Sequence, residues 1–204
     1  MSAASGAYLG TSDFAATVLG ILASSGHRPA LAVTLPDRKQ GRARKVSPSP
    51  VATAAEELGI KVFKCGDVNQ PEAREVILAA GGEWASICAF GQLIKEPLLT
   101  DLPMLNVHPS LLPRWRGAAP IERSIMAGDE QTGVCVMRLV AGLDSGPVAM
   151  REATAIEPGE DFGSLSERLA RIGGDLLVKA LEAAADGSIE WTEQVDSEAT
   201  YAEK

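Results

Sequence analysis

The chain has 204 residues, 46 % of them hydrophobic, three cysteines and a formal net charge of −8. That is enough for one sizeable domain with its own core, and the negative charge excludes bulk, non-specific nucleic-acid binding without forbidding a local basic site. No apolar run approaches the roughly 18–20 residues of a membrane helix, and "MSAASGAYLG" has no basic region followed by an apolar one, so the reading is a soluble chain with no signal peptide and no membrane partner.

In chain order, "AYLG" reads as a short buried strand. "TSDFAATVLGILASSG" reads as a helix with Phe14, Val18, Ile21 and Leu22 at helical spacing and Gly26 as its stop. "ALAVTL" is a second strand. The segment from Pro36 to Pro50 is predicted to be a loop; its length makes it functional or disordered. It carries Arg38, Lys39, Arg42, Arg44 and Lys45 against one aspartate. "VATAAEELG" is predicted helical, "IKVFK" a strand, "PEAREVILAAGG" a helix and "WASICAFG" a strand. "PMLNVH" comes next as a strand, and "GAAPIERSIMAGD" as a helix interrupted early by Pro120. "GVCVMRLV" and "GPVAMRE" are strands joined by the tight "AGLDSG" loop, hence antiparallel. Ser164 to Ala185 is the clearest helix, with Ser164 and Glu167 as a capping box. "SIEWTEQV" resembles a last strand.

Alternating strands and helices predict an α/β, Rossmann-like fold. Its sheet is mainly parallel, with helices on both faces and an antiparallel portion near the C-terminal part. Ligands of such sheets bind beyond the carboxyl ends of the strands, where Asn106, His108 and the loop after Ala89 are expected. Cys65, Cys88 and Cys135 are scattered without metal-ligand or disulfide spacing, which fits a reducing, cytoplasmic setting.

The stretch "LNVHPSLLPRWRGAAP" holds one of only two histidines. On a strand Asn106 and His108 share a face, so an amide and an imidazole can both donate to one developing oxyanion. Pro109 and Pro113 stiffen the segment after the strand. Asp144, in "GLDSG", can orient His108 and help move a proton. Together the three fit acyl transfer to an amine without a protein nucleophile. A histidine at a strand end is more often a structural hydrogen-bonding residue, and an aspartate between glycines a turn residue; both readings stand beside the catalytic one. Two distant histidines without close cysteine or glutamate partners argue against zinc. No G-x-S-x-G elbow, dinucleotide fingerprint or phosphate-binding loop is present.

"NVHPSLLPRWRGAAPIERSIMAGD" with the distant "GLDSG" resembles the folate-dependent formyltransferases over nearly the whole chain, from "LGTSDFAA" to "TYAEK". The resemblance implies the formyltransferase fold and the catalytic residues Asn106, His108 and Asp144. The formyl donor would be 10-formyltetrahydrofolate, a co-substrate instead of a bound cofactor, with no metal. Folate contacts would come from Ser110, Leu111, Leu112 and Pro113, from Phe90, Gln92, Leu93 and Ile94, and from Val140 and Leu143. "PDRKQGRARKVSPSPV" and "PRWRGAAPI" point to members acting on transfer RNA. The implied acceptor is the α-amino group of methionine on initiator tRNA. Arg38, Arg42, Arg44 and Lys45 would grip the acceptor stem, Arg42 first, with Arg114 and Arg116 extending the rim. Trp115 reads as either an anchor of its turn or a stacking platform.

Ser12, Phe90 and Pro109 depart from residues common in the family, but none touches the three polar groups. Family members carry a second domain after a linker. The expectation is a catalytic domain over 1–190, with 191–204 as the last strand and the start of a linker, and a monomer. Two other readings remain open: an amino-sugar nucleotide formyltransferase, and a non-catalytic folate- or tRNA-binding fragment.

Overall fold

A computed structural model of the protein describes residues 5–40 and 45–203. They fall into two compact units, Met1–Met104 and Leu105–Lys204.

In the first unit, strand β1 (Ser5–Gly10) leads into helix α1 (Asp13–Ser24). Ser12 caps that helix, its hydroxyl accepting from Ala15 N at 3.3 Å, which satisfies one of the helix's unpaired donors. Phe14, Val18 and Leu22 are buried as the spacing predicts, together with Ala15 and Leu19, whereas Ile21 is only half-buried. Next come strand β2 (Pro29–Thr34), the short pair β3 (Arg38–Gln40) and β4 (Lys45–Ser47), helix α2 (Pro50–Glu57) and strand β5 (Lys61–Lys64). Helix α3 (Pro71–Ala79), strand β6 (Ala85–Cys88) and helix α4 (Leu98–Asp101) complete the unit.

The strands lie in the order β6-β1-β2-β5, and all their pairings are parallel. Right-handed crossovers place α1 and α2 on one face. The connection through α3 runs back past β1 to β6, which places α3 on the other. The strand order therefore reverses between β1 and β6, where open α/β sheets place ligands. Thr11 and the loop after β6 are tied there by a hydrogen bond from Thr11 Oγ1 to Phe90 O at 2.7 Å.

The segment predicted as a loop from Pro36 to Pro50 is partly ordered as a hairpin, with Arg38 paired to Ser47 and Lys39 to Val46. Short strands rich in charge carry almost no apolar alternation, so the pattern hid them. Ser49 closes the segment, its hydroxyl capping α2 at Ala52 N (3.0 Å) and lying 2.6 Å from Thr34 Oγ1.

In the second unit, strand β7 (Met104–His108) is succeeded by β8 (Arg116–Gly117), helix α5 (Pro120–Met126), β9 (Gln131–Arg138), β10 (Val148–Ala155), helix α6 (Phe162–Asp186) and β11 (Tyr201–Ala202). The order β10-β9-β7 is antiparallel throughout, and for β9 and β10 the short loop around Asp144 requires it. The 25-residue α6 buries Leu165, Leu169, Leu176, Leu177 and Leu181 against β9, β10 and α5.

The structure corrects three expectations. Pro120 does not interrupt α5 but opens it, at the first helical position, where its missing N–H costs nothing. Helix α6 starts before Ser164; its cap is Asp161, whose carboxylate accepts from Ser164 N at 2.9 Å. "SIEWTEQV" forms no strand, making one isolated bridge between Thr192 and Val148. The last strand, β11, comes after this segment and pairs in parallel with β8, Tyr201 opposite Arg116 and Ala202 opposite Gly117.

Candidate active site

Strand β7 is buried along its length, and its alternation puts Asn106 and His108 on one face. The two are 8 % and 4 % exposed. Asp144 is delivered from the loop between β9 and β10, with its backbone in the left-handed region at φ 44°. A non-glycine residue held there is strained, and such strain gathers at functional sites.

The three side chains meet. Asn106 Nδ2 lies 3.5 Å from Asp144 Oδ1, and His108 Nδ1 lies 3.8 Å from Asp144 Oδ2. Gly117 N donates to Asp144 Oδ2 at 2.8 Å and fixes the carboxylate. The ring of His108 is oriented from its other side: Nε2 is 2.7 Å from Trp115 O. A carbonyl only accepts, so Nε2 carries hydrogen and Nδ1 is the nitrogen turned towards Asp144. In the neutral ring Nδ1 offers a lone pair; in the charged ring it offers an N–H. Proton exchange at His108 is thereby confined to Nδ1. The contacts of 3.5 and 3.8 Å are longer than a tight charge-assisted bond of about 2.7–2.9 Å, so both donors can turn to a third atom.

The connection after β7 is shaped by Ser110. Its hydroxyl donates to Trp115 O and accepts from Trp115 N, both at 3.0 Å. Leu112 lies in a buried cluster with Cys135, Met137 and Val148. Leu111 and Pro113 are half-buried, as is Val140, whereas Leu143 is 54 % exposed. In the first unit Phe90 and Ile94 are buried and Leu93 is exposed. Gln92 is a clasp: its Oε1 accepts from Val68 N at 2.8 Å, and its Nε2 donates to Cys65 O and Gly66 O at 3.3 and 3.2 Å.

Arg38 is exposed. Arg42 and Arg44 lie outside the described residues, and Lys45 is described only as part of β4. Arg116 does not extend a basic rim. It is 3 % exposed, with Nε donating to Gln194 Oε1 at 3.0 Å and Nη2 to Asp196 Oδ1 at 2.7 Å.

Arg114 is exposed but engaged. Its Nη2 and Nε donate to Asp129 at 2.7 and 3.1 Å, and its guanidinium stacks 3.9 Å from the centre of the Trp115 ring. Trp115 Nε1 donates to the same carboxylate at 3.0 Å, so the indole anchors its turn. The Arg114 hydrogen bonds, helped by Trp115 and opposed by burial, hold the Asp129 carboxyl below its ordinary value. A depressed folded-state pKa stabilises above the unfolded value, about 4, and is lost as pH falls through the folded value. Thermal unfolding of the wild type and Asp129→Asn should therefore converge as pH drops from about 5 to about 3. A gap that stays constant would show that the carboxylate contributes nothing there.

The thiol pKa values of all three cysteines are raised by burial, which disfavours the thiolate a cysteine nucleophile needs. Burial pushes the Cys88 thiol up to about 12 and that of Cys135, opposite His108 across the β7–β9 ladder, up to about 11. Among the described residues no group of three His, Cys, Asp or Glu side chains is placed to hold a metal ion, and no helix is long and apolar enough to cross a membrane.

An amide, an imidazole with one free nitrogen and a carboxylate, clustered at a strand end without a nucleophile, suit acyl transfer between bound substrates. The sequence profile of the Formyl transferase family matches residues 7–181, and the chain belongs to that family. Among curated proteins it is similar to the methionyl-tRNA formyltransferase of Halorhodospira halophila, 46 % identical over 97 % of this chain and 64 % of the relative. The methionyl-tRNA formyltransferase of Methylococcus capsulatus is 41 % identical over 97 % of this chain and 65 % of the relative. The chain thus spans just under two thirds of the length of these relatives. Among solved structures, the phosphoribosylglycinamide formyltransferase of Anaplasma phagocytophilum matches with a TM-score of 0.74 at 19 % identity, covering 97 % of this chain and 98 % of the other; it supports the fold.

Proposed function

We propose that the chain transfers the formyl group of 10-formyltetrahydrofolate to the α-amino group of methionine esterified to initiator tRNA. The observation that carries this reading is the meeting of Asn106, His108 and Asp144, in a chain 46 % identical to a methionyl-tRNA formyltransferase. The neutral amine attacks the formyl carbon. Asn106 Nδ2 and the charged His108, through Nδ1, donate to the tetrahedral oxyanion. Asp144, held by Gly117 N, balances the imidazolium and relays the amine's proton to the folate nitrogen, whose bond to carbon then breaks. Tetrahydrofolate and the formylated aminoacyl-tRNA leave.

The basic residues Arg38, Arg42, Arg44 and Lys45 are assigned, by their charge and place in the sequence, to the acceptor-stem phosphates. The folate is assigned to Ser110, Leu111, Leu112, Pro113, Phe90, Gln92, Leu93, Ile94, Val140 and Leu143. For Leu112 and Gln92 the assigned contribution is shape and backbone, since one side chain is in the core and the other's amide is engaged. The test is formylation of charged initiator tRNA beside an amino-sugar nucleotide acceptor, each with 10-formyltetrahydrofolate. Transfer to the tRNA alone supports the proposal; transfer to the sugar alone overturns it.

A further inference from the structure

Among the described residues, Gln194 touches the Asp144 turn from a part of the chain 50 residues further on. Its Nε2 donates to both Asp144 O, at 2.8 Å, and Gly146 O, at 2.7 Å. The two N–H bonds of one amide therefore clamp the carbonyls on either side of Ser145. Its Oε1 accepts from Arg116 Nε at 3.0 Å, which fixes which end of the amide faces the turn. Arg116 is itself anchored, by Asp196 and by its backbone N, which donates to Thr200 O at 2.8 Å. The next residue along, Gly117, holds the Asp144 carboxylate.

Asp144 is thus gripped twice, by its carboxylate from Gly117 and by its main chain from Gln194, and both grips lead back to the Arg116–Gly117 strand. Aspartate tolerates the left-handed backbone better than most residues, yet it is not its preferred state, and the two grips favour it here. We propose that Gln194 is a positioning residue for formyl transfer: through Asp144 it sets the distance between carboxylate and imidazole. This rests on the formyl-transfer reading. The bland alternative is that Gln194 only fastens the segment after α6 to the fold.

The experiment is a double-mutant cycle on the whole chain, measuring formyl transfer to methionyl initiator tRNA. The variants are Gln194→Met, Asp144→Asn and the pair, with thermal unfolding recorded alongside. Misplacement of a reacting group by about 1 Å costs on the order of 10²-fold, so Gln194→Met is expected to lower kcat by about 10- to 100-fold. The KM for folate should change little, and Gln194→Met should add nothing in the Asp144→Asn background. Gln194→Glu keeps an acceptor for Arg116 but sets a carboxylate oxygen against the two carbonyls in place of both donors, and should lose at least as much turnover while remaining folded. With Asp144→Asn impaired, wild-type kcat in both Gln194→Met and Gln194→Glu, or a Gln194→Met loss that adds fully to that of Asp144→Asn, overturns the proposal in favour of fastening. If Asp144→Asn itself turns over normally, the functional reading falls instead. The 13C shift of the Asp144 carboxyl then decides the positioning: altered in the neutral Gln194→Met variant it supports the grip, unchanged it overturns it.

Discussion

Asp144→Asn is expected to lower kcat by about 10²- to 10⁴-fold, the range for losing a positioned proton-transfer group, with little loss of stability. Asparagine tolerates the left-handed backbone at this position as aspartate does. Its side-chain oxygen can still accept from Gly117 N, which now holds Oδ2 at 2.8 Å. The change removes the charge that faces His108 Nδ1 and the capacity to accept a proton there. Single-turnover transfer at saturating folate separates this from a binding defect. A variant that folds normally and transfers at the wild-type rate would reduce Asp144 to a turn residue.

Asn106→Ala is expected to cost about 10²- to 10³-fold in kcat, the usual effect of deleting one oxyanion donor, with the folate dissociation constant little changed. Among the described residues the amide makes one long hydrogen bond, 3.5 Å to Asp144, so its removal takes little from the resting fold. On the proposed mechanism its value lies in the transition state, when charge builds on the formyl oxygen. Paired kcat and folate-binding measurements check this. Equal losses in both would mean that Asn106 holds the ground state and gives no special help to the chemistry.

Much of this was legible in the sequence. Leu165, Leu169, Leu176 and Leu177 declare α6, and "AYLG", "ALAVTL" and "WASICAFG" declare the parallel strands, because burial writes itself as apolar pattern. The shared face of Asn106 and His108 comes from strand alternation alone. The partners of the site were not legible. Trp115 O and Gly117 N are backbone groups, which every residue carries, so no residue type announces them. Gln194 sits in a stretch that looks like a strand, and nothing local marks an amide that reaches Asp144 across the fold. Arg116 reads as a surface cation until its partners Gln194 and Asp196 are seen. The cap of α6 was misplaced because Asp161 and Ser164 are both good N-cap residues, and only the hydrogen bond chooses between them.

Formyl transfer by this chain requires that one amide, one imidazole nitrogen and one carboxylate surround the carbon that moves. A crystal structure with a non-transferable 10-formyl folate analogue measures this. The formyl oxygen is expected about 2.7–3.2 Å from Asn106 Nδ2 and within the same reach of His108 Nδ1. A formyl oxygen bound beyond hydrogen-bond reach of both Asn106 Nδ2 and His108 Nδ1, with the Asp144 carboxylate turned away from the formyl-bearing nitrogen, would refute the mechanism.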